Sequence, residues 1–318
     1  MRFPDEHSPP PALAAGQVFV GQSEAYVPSE PGMIIQGHMD SIDINDWLQA
    51  WNKIQDSTVY TKLSEEEPTS NLSNPVRKVQ MSAGVVNYNE FQFDHVKADI
   101  KQKHNVWDFN IKAPVAKGLV TYIEDEPLKV NLEYFHWPLF EITPKSGPSS
   151  KKEDEDMLAS IDPMTFPLME LKIGEVYLGS TNFGRWDMRV EPNSKGAHFS
   201  KIDGLIKHLT VKGDVDWVKS PDPKIQQKTN VDVLLTSRDV GAIQRAWRIK
   251  PAVEAERGTI NAKLGWLGSP VDVEIESLNG NLDVNLKDGR FIDAGDTGAL
   301  NVFGILNFSA IGRRLRLD

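Results

Sequence analysis

The sequence contains no cysteine. That excludes disulfide frameworks, thiolate metal ligands and cysteine nucleophiles, and it permits an oxidising compartment without requiring one. Basic residues are also in deficit: 35 Lys and Arg stand against 45 Asp and Glu in 318 residues, a net charge of -10. Nucleic acid is therefore not an expected partner, because backbone recognition needs a surplus of cations on the contacting face. A broad electrostatic grip on an anionic bilayer is disfavoured for the same reason. No run approaches the roughly 18 apolar residues of a membrane span. The opening residues, Met1, Arg2, Pro4, Asp5 and Glu6, do not read as a signal peptide.

Catalytic spacing is equally scarce. The seven histidines, His7, His38, His95, His104, His136, His198 and His208, form neither H-x-x-H nor H-E-x-x-H, so packing or surface roles are expected rather than metal ligation. There is no G-x-S-x-G elbow. The stretch Gly179-Ser180-Thr181-Asn182-Phe183-Gly184-Arg185-Trp186 has phosphate-loop glycine spacing but lacks the Lys and Ser/Thr that such a loop needs, and it reads as a hairpin turn. No enzyme activity, metal or cofactor is predicted.

What is present is composition typical of a folded, water-soluble chain, 40% apolar and 25% charged, and a period-two alternation that recurs along most of it. Trp107, Phe109 and Ile111 alternate with polar residues; so do Leu128, Val130, Leu132 and Tyr134. Met169, Leu171 and Ile173 follow, then Trp186, Met188 and Val190, then Leu209, Val211, Val215 and Trp217. The last third continues with Ile260, Ala262, Leu264 and Trp266, with Val273 and Ile275, and with Leu282, Val284 and Leu286. Each run gives a strand with one wet and one apolar face, as in antiparallel sheet. Asn193-Ser194-Lys195-Gly196, Gly268-Ser269-Pro270, Asn279-Gly280 and Asp288-Gly289 read as the intervening turns. For the tryptophans the ordinary expectation is core packing.

Two segments carry helical spacing instead. Ile44, Trp47, Leu48, Trp51 and Ile54 follow Asp43; Val240, Ile243 and Trp247 follow Asp239. Aligned, Ser41 and Ser237, Asp43 and Asp239, Ala50 and Ala246, and Trp51 and Trp247 coincide, an internal repeat of strand, Asp-capped helix and closing tryptophan. A third helix is expected over 299–311, where Val302, Phe303, Leu306 and Ala310 share a side. The expected organisation is residues 1–142 as a first part with a helix near 43–55, then a mobile polar and acidic loop over 143–160. Residues 161–318 form the last part, with helices near 238–248 and 299–311.

About fifteen strands of ordinary length offer far more apolar surface than two or three short helices can cover. The sheet must close on itself as a sandwich or barrel, or curl into a trough filled by an apolar ligand, since exposed apolar patches rarely exceed a few hundred Å². An acyl chain of about sixteen carbons would gain on the order of 10 kcal/mol there before entropic costs. Alternation alone leaves both solutions open.

The run Gly258-Thr259-Ile260-Asn261-Ala262-Lys263-Leu264-Gly265-Trp266, then Gly268-Ser269-Pro270, then Leu278 to Phe291, resembles the C-terminal signature of the AsmA-like proteins. Leu300 to Leu317, Asp162-Pro163 through Trp217, and Pro31-Gly32-Met33 to Trp51 fit the same pattern. The resemblance implies a mostly-β fold, a long curved antiparallel sheet forming an apolar groove with two or three short amphipathic helices. It further implies the periplasm of a Gram-negative envelope, a parent protein anchored in the inner membrane, and transfer of phospholipid between inner and outer membranes. The absence of a membrane helix and the stop at Asp318 lead to the expectation of a C-terminal portion. The candidate acyl-chain lining is Phe109, Ile111, Val130, Leu132, Leu171, Ile173, Met188, Val190, Leu209, Val211, Ile260, Leu264, Val273, Ile275, Leu282, Val284 and Leu286; for each, simple core packing is the competing role. Expected partners are phospholipid acyl chains, the two membranes and envelope proteins. The alternative is a closed β-sandwich scaffold in outer-membrane biogenesis that carries no lipid.

Overall fold

The computed structural model describes residues 15–21, 32–46, 49, 76–88, 91–137, 141–142, 158, 161–179, 181–220, 227–247, 253–273 and 275–292. Sixteen strands, numbered in chain order, dominate them. By its internal contacts the chain divides into two compact units, one built mainly on residues 1–114 and the other mainly on residues 125–139 and 144–318.

The first unit holds β1 (Ala15–Val20), β2 (Gly32–Asp43), β3 (Val76–Tyr88), β4 (Phe91–Lys103) and β5 (Val106–Lys112), hydrogen-bonded in that order. Strand β6 (Ala116–Ile123) has residues in both units. β1–β2 and β2–β3 are parallel, whereas β3–β4 and β4–β5 are antiparallel. Register sorts the side chains. Ile35, Val79, Ile100 and Phe109 are cross-strand partners, as are Gly37, Met81, Ala98 and Ile111. On the other face Gln36, Gln80, Asp99 and Asn110 form one row. There the Gln17 amide donates to Gln36 (2.8 Å), Gln36 to Gln80, and Gln80 to the Asp99 carboxylate (2.8 Å). A polar ladder of this kind keeps one face wet while the opposite face stays apolar.

The second unit runs from β7 (Leu128–Trp137) through β9 (Met169–Leu178), β11 (Arg185–Asn193), β12 (Gly196–Ile206), β13 (Leu209–Lys219), β14 (Gln227–Ser237) and β15 (Val253–Leu267) to β16 (Asn279–Phe291). The short β10 (Thr181–Asn182) folds back on β9, and β8 (Glu141–Ile142), itself part of the first unit, pairs with β4 there. β7–β9 is parallel and the rest are antiparallel. The expected mostly-β sheet is present, with mixed rather than purely antiparallel pairing: a parallel neighbour requires a crossover, and alternation within a strand carries no information about its partner's direction. In neither unit does the strand order return on itself.

Helix α1 (Val240–Ala246) joins β14 to β15. Asp239 caps it through Oδ1, which accepts the Ala242 N–H at 2.8 Å. At the matching place in the repeat, Asp43 Oδ1 accepts from Asn45 (2.8 Å) and Asp46 (3.3 Å), and residues 44–46 are helical. The repeat is therefore a repeat of cap chemistry. The rest of the helix expected near 43–55, the polar stretch near 57–75, most of the 143–160 loop and the 299–311 helix lie outside the described residues.

Three sequence expectations are corrected. Val273 and Ile275 are not a strand; they lie in the connection after β15, with Ile275–Ser277 a 3-10 turn. The reversal occurs at Gly268-Ser269-Pro270, where Ser269 O accepts both Trp266 Nε1–H (2.8 Å) and Asp272 N–H (3.2 Å). Asn279-Gly280 and Asp288-Gly289 consequently fall inside β16 rather than at hairpins, with Gly280 paired to Leu264 and Gly289 to Ala255. By contrast Asn193 does close the β11–β12 turn, accepting from the Lys195 and Gly196 amides at 2.9 and 3.1 Å, and Gly179–Trp186 is a β9–β10 hairpin and its exit.

Candidate functional site

Two unbroken rows of cross-strand partners cross the eight principal strands of the second unit. One reads Leu132, Ile173, Trp186, Gly204, Val211, Leu235, Ile260, Val284. Another reads Leu128, Met169, Val190, Phe199, Val215, Val231, Leu264, Gly280. Between them lie Val130, Leu171 and Met188 on one side of a bulge and Ile202, Gly213, Val233, Ala262 and Leu282 on the other. At the bulge Ser200 and Lys201 together oppose Asp214, one residue more than the partner strand, with Lys201 at a φ of +54°, so that Phe199 and Ile202 face the same way. With strands about 4.8 Å apart, each row covers about 34 Å of sheet.

The opposite face is charged and largely self-paired. Lys172 meets Asp187 (3.4 Å), Asp203 meets Arg185 (3.2 Å) and Lys212 (3.4 Å), and Lys263 meets Asp232 (2.9 Å). Arg189 lies between Glu170 and Glu191 at 3.2 and 2.9 Å, and its hydrogen bond holds the Glu191 carboxyl below the ordinary carboxylate range. Exposed pairs of this kind add little stability; their effect is to keep this face hydrated and the sheet single-sided.

Both ends of the apolar face are covered. At one end, the segment before β9 crosses the sheet. Asp162 caps the 3-10 turn Pro163–Thr165, accepting the Met164 N–H, and its carboxylate pairs with Lys219. The turn delivers Phe166 against Phe199 and Trp217, ring centroids 5.6 and 5.7 Å away. Buried Gln227 completes the strap, accepting the Trp217 indole N–H (3.0 Å) and donating to Ile161 O (2.8 Å). Burial alone would raise the Asp162 pKa, but the Lys219 ammonium and the Met164 amide outweigh it and hold the carboxyl low.

At the other end α1 lies on β15. Gly258 permits this, because a β-carbon there would come within 2.8 Å of Val240 Cγ2. Gln244, fully buried, donates to the carbonyls of Val240 and Val253 and accepts the Val253 N–H (3.4 Å), which fastens the helix to the first residue of β15.

Between these covers lies a cavity of about 330 Å³. Its floor is Leu209, Val211, Val231, Val233, Leu235, Ile260, Ala262, Leu264, Val284 and Leu286; its walls include Phe183, Trp186, Ile243, Trp247, Trp266, Pro270 and Val273. Among the described residues, none that lines it carries a charge. The lining hydroxyl of Ser237 is engaged with the Asp239 backbone (3.1 Å). Most floor residues are only half-buried, and among the described residues no second sheet faces them.

Of the residues expected from sequence to line a groove, Leu209, Val211, Ile260, Leu264, Val273, Val284 and Leu286 border this cavity. Val130, Leu132, Leu171, Ile173, Met188, Val190 and Leu282 belong to the same three rows without bordering it. Val190 is fully buried. Phe109 and Ile111 lie in the corresponding rows of the first unit. Val273 reaches the cavity from a loop. The side chain of Ile275 is outside the described residues. Sequence reading did not single out Val231, Val233, Leu235, Ile243, Trp186 or Trp247 as lining, although the alternation in β14 and the helix repeat carried the signal.

Among the described residues, no group of three or more His, Asp or Glu could hold a metal ion. Among the described residues the arrangement offers apolar contact area, with no acid or base on the cavity lining. No helix among the described residues is long and apolar enough to cross a membrane.

A family model described as YhdP protein matches residues 2–318. No curated protein and no solved structure matches.

Proposed function

The chain belongs to the YhdP family, and from that premise we propose that it binds lipid acyl chains along the apolar rows of its sheets and serves lipid transfer in a Gram-negative cell envelope. The observation that carries the reading is the pair of apolar rows crossing eight strands, interrupted only at Gly204 and Gly280, whose β13–β16 members form much of the floor of a cavity with no charge on its described lining and with no second sheet facing it among the described residues. Covering that surface with acyl chains removes it from water at about 25 cal/mol per Å². Phospholipid is the expected cargo, its chains against the rows and its headgroup in water, and the periplasm, between two membranes, is the place where such a conduit works. Binding of this kind needs a continuous apolar lining rather than a tight specific site, which agrees with the largely apolar side chains that line the cavity among the described residues. No catalytic step is assigned.

The test is native mass spectrometry and organic extraction of the purified full chain. Co-purifying phospholipid at a stoichiometry near one or above is the expected result. A homogeneous ligand-free mass, together with no uptake from phosphatidylethanolamine vesicles, would contradict the reading and favour a scaffold that carries no lipid.

A further inference from the structure

We propose that the β12–β13 hairpin tip, Lys207–His208, binds the phosphate of an amphiphile whose chains occupy the adjoining apolar cavity; the inference rests on the lipid-binding reading and adds the headgroup chemistry. Ile206 and Leu209 are cross-strand partners, so the turn contains only Lys207 and His208. Both have positive φ, +41° and +72°. That is the geometry of a tight primed hairpin turn, which favours Asn-Gly and sterically penalises residues with a β-carbon. Two basic side chains stand where the fold alone would favour Asn and Gly.

Their position gives them a use. Ile206 and Leu209 on either side of the turn both line the cavity, as do Phe183 and Trp247. The Lys207 ammonium lies 4.2 Å from the centroid of the Trp247 ring, and that ring packs edge-on against Phe183 with centroids 5.5 Å apart. The aromatic pair therefore holds a cation at the rim of a cavity whose described lining is uncharged. His208 is exposed beside it. In a chain of net charge -10, this rim complements an anion. An ammonium with three donors and an imidazole can give charge-assisted hydrogen bonds to phosphate oxygens while hydrocarbon enters between α1 and β13–β15.

The experiment uses the full chain and four probes: dioctanoyl phosphatidic acid, dioctanoylglycerol with the same chains, glycerol 3-phosphate and inorganic phosphate. Each is titrated by native mass spectrometry against the wild type and against the double variant Lys207→Asn with His208→Gly. That variant installs the favoured turn residues, so it should melt no lower than the wild type. The expected result is an approximately ten-fold preference of the wild type for phosphatidic acid over dioctanoylglycerol. The variant should lose this preference and bind dioctanoylglycerol unchanged, and the two water-soluble phosphates should bind far more weakly than phosphatidic acid. A folded variant that keeps the preference would overturn the proposal. So would glycerol 3-phosphate or inorganic phosphate binding as tightly as phosphatidic acid, since the anion site would then be unconnected with the cavity. Dioctanoylglycerol uptake without any phosphate preference would defeat the headgroup site alone, whereas no uptake of either lipid would defeat the lipid-binding reading with it.

Discussion

The indole of Trp186 lies across Gly204 on the adjacent strand: a β-carbon at position 204 would stand 2.8 Å from Cε3 and Cζ3 of the ring. The indole N–H is fixed by the carbonyl of Phe183 at 3.0 Å. Glycine here leaves a gap in the row of apolar side chains, and the neighbouring tryptophan fills it and lines the cavity. Gly204→Ala should expel the ring from its place, costing about 1–3 kcal/mol through overpacking. A lower urea midpoint with altered tryptophan fluorescence checks this; an unchanged midpoint would show that the ring has room to shift.

Burial separates the rows into residues the protein needs as core and residues a ligand can complete. Val190 is wholly buried, whereas Val284, on β16, is half-exposed. Val190→Asp should prevent folding, since an unpaired buried carboxylate is very costly. Val284→Asp should leave a cooperative thermal transition and lose co-purifying lipid. If Val284→Asp unfolds the chain as Val190→Asp does, the apolar face is a closed core.

Gln244 is a buried amide whose carbonyl and amino groups are both engaged with Val253 backbone. Gln244→Leu keeps similar bulk and leaves both Val253 groups unpaired, at a cost of about 1–3 kcal/mol. Hydrogen exchange should accelerate first at Val253 and in α1. Uniform acceleration over β14 and β15 would mean that the helix and the strands open as one unit.

The Asp162–Lys219 pair makes the strap pH-dependent. The folded-state pKa of Asp162 is depressed, so its contribution is fully present above the ordinary aspartate pKa of about 3.9. It disappears as pH falls through the lower folded-state value. Asp162→Asn should therefore destabilise the chain at pH 6–7, and the difference from wild type should shrink progressively below about pH 4. A difference that is constant from pH 7 to pH 2.5 would show that the capping geometry, not the charge, is what the substitution removes.

Local pattern revealed local structure, and non-local structure only where two segments shared the same chemistry. The alternation in Trp107–Ile111, Leu128–Tyr134 and Leu282–Leu286 marks β5, β7 and β16 because a strand's two faces meet different solvents. Asp43 and Asp239 announce the same capped turn, and both carboxylates accept the i+3 amide. Strand direction was not legible, since β2–β3 and β7–β9 are made parallel by the chain that crosses between them. Asn279-Gly280 misled for a physical reason: the side-chain amide of Asn279 donates to Gly265 O and Ser277 O, each at 3.0 Å, while its backbone pairs with Gly265 in the ladder instead of turning the chain. The cavity was half legible. Its floor follows from alternation, but Phe183, Trp247 and Pro270 reach it from turns and a helix end, where no period points inward.

Neighbouring positions on β15 give the most direct test of a lipid-filled face. Ile260 lies in the apolar row and borders the cavity, while Asn261 is exposed on the opposite face. A photoreactive phenylalanine analogue is placed at each position in turn, and the full chain is irradiated with vesicles of phosphatidylethanolamine and phosphatidylglycerol. The account predicts covalent phospholipid adducts from position 260 and none from 261. Equal labelling at the two positions, or none at 260 in a folded protein, would contradict it.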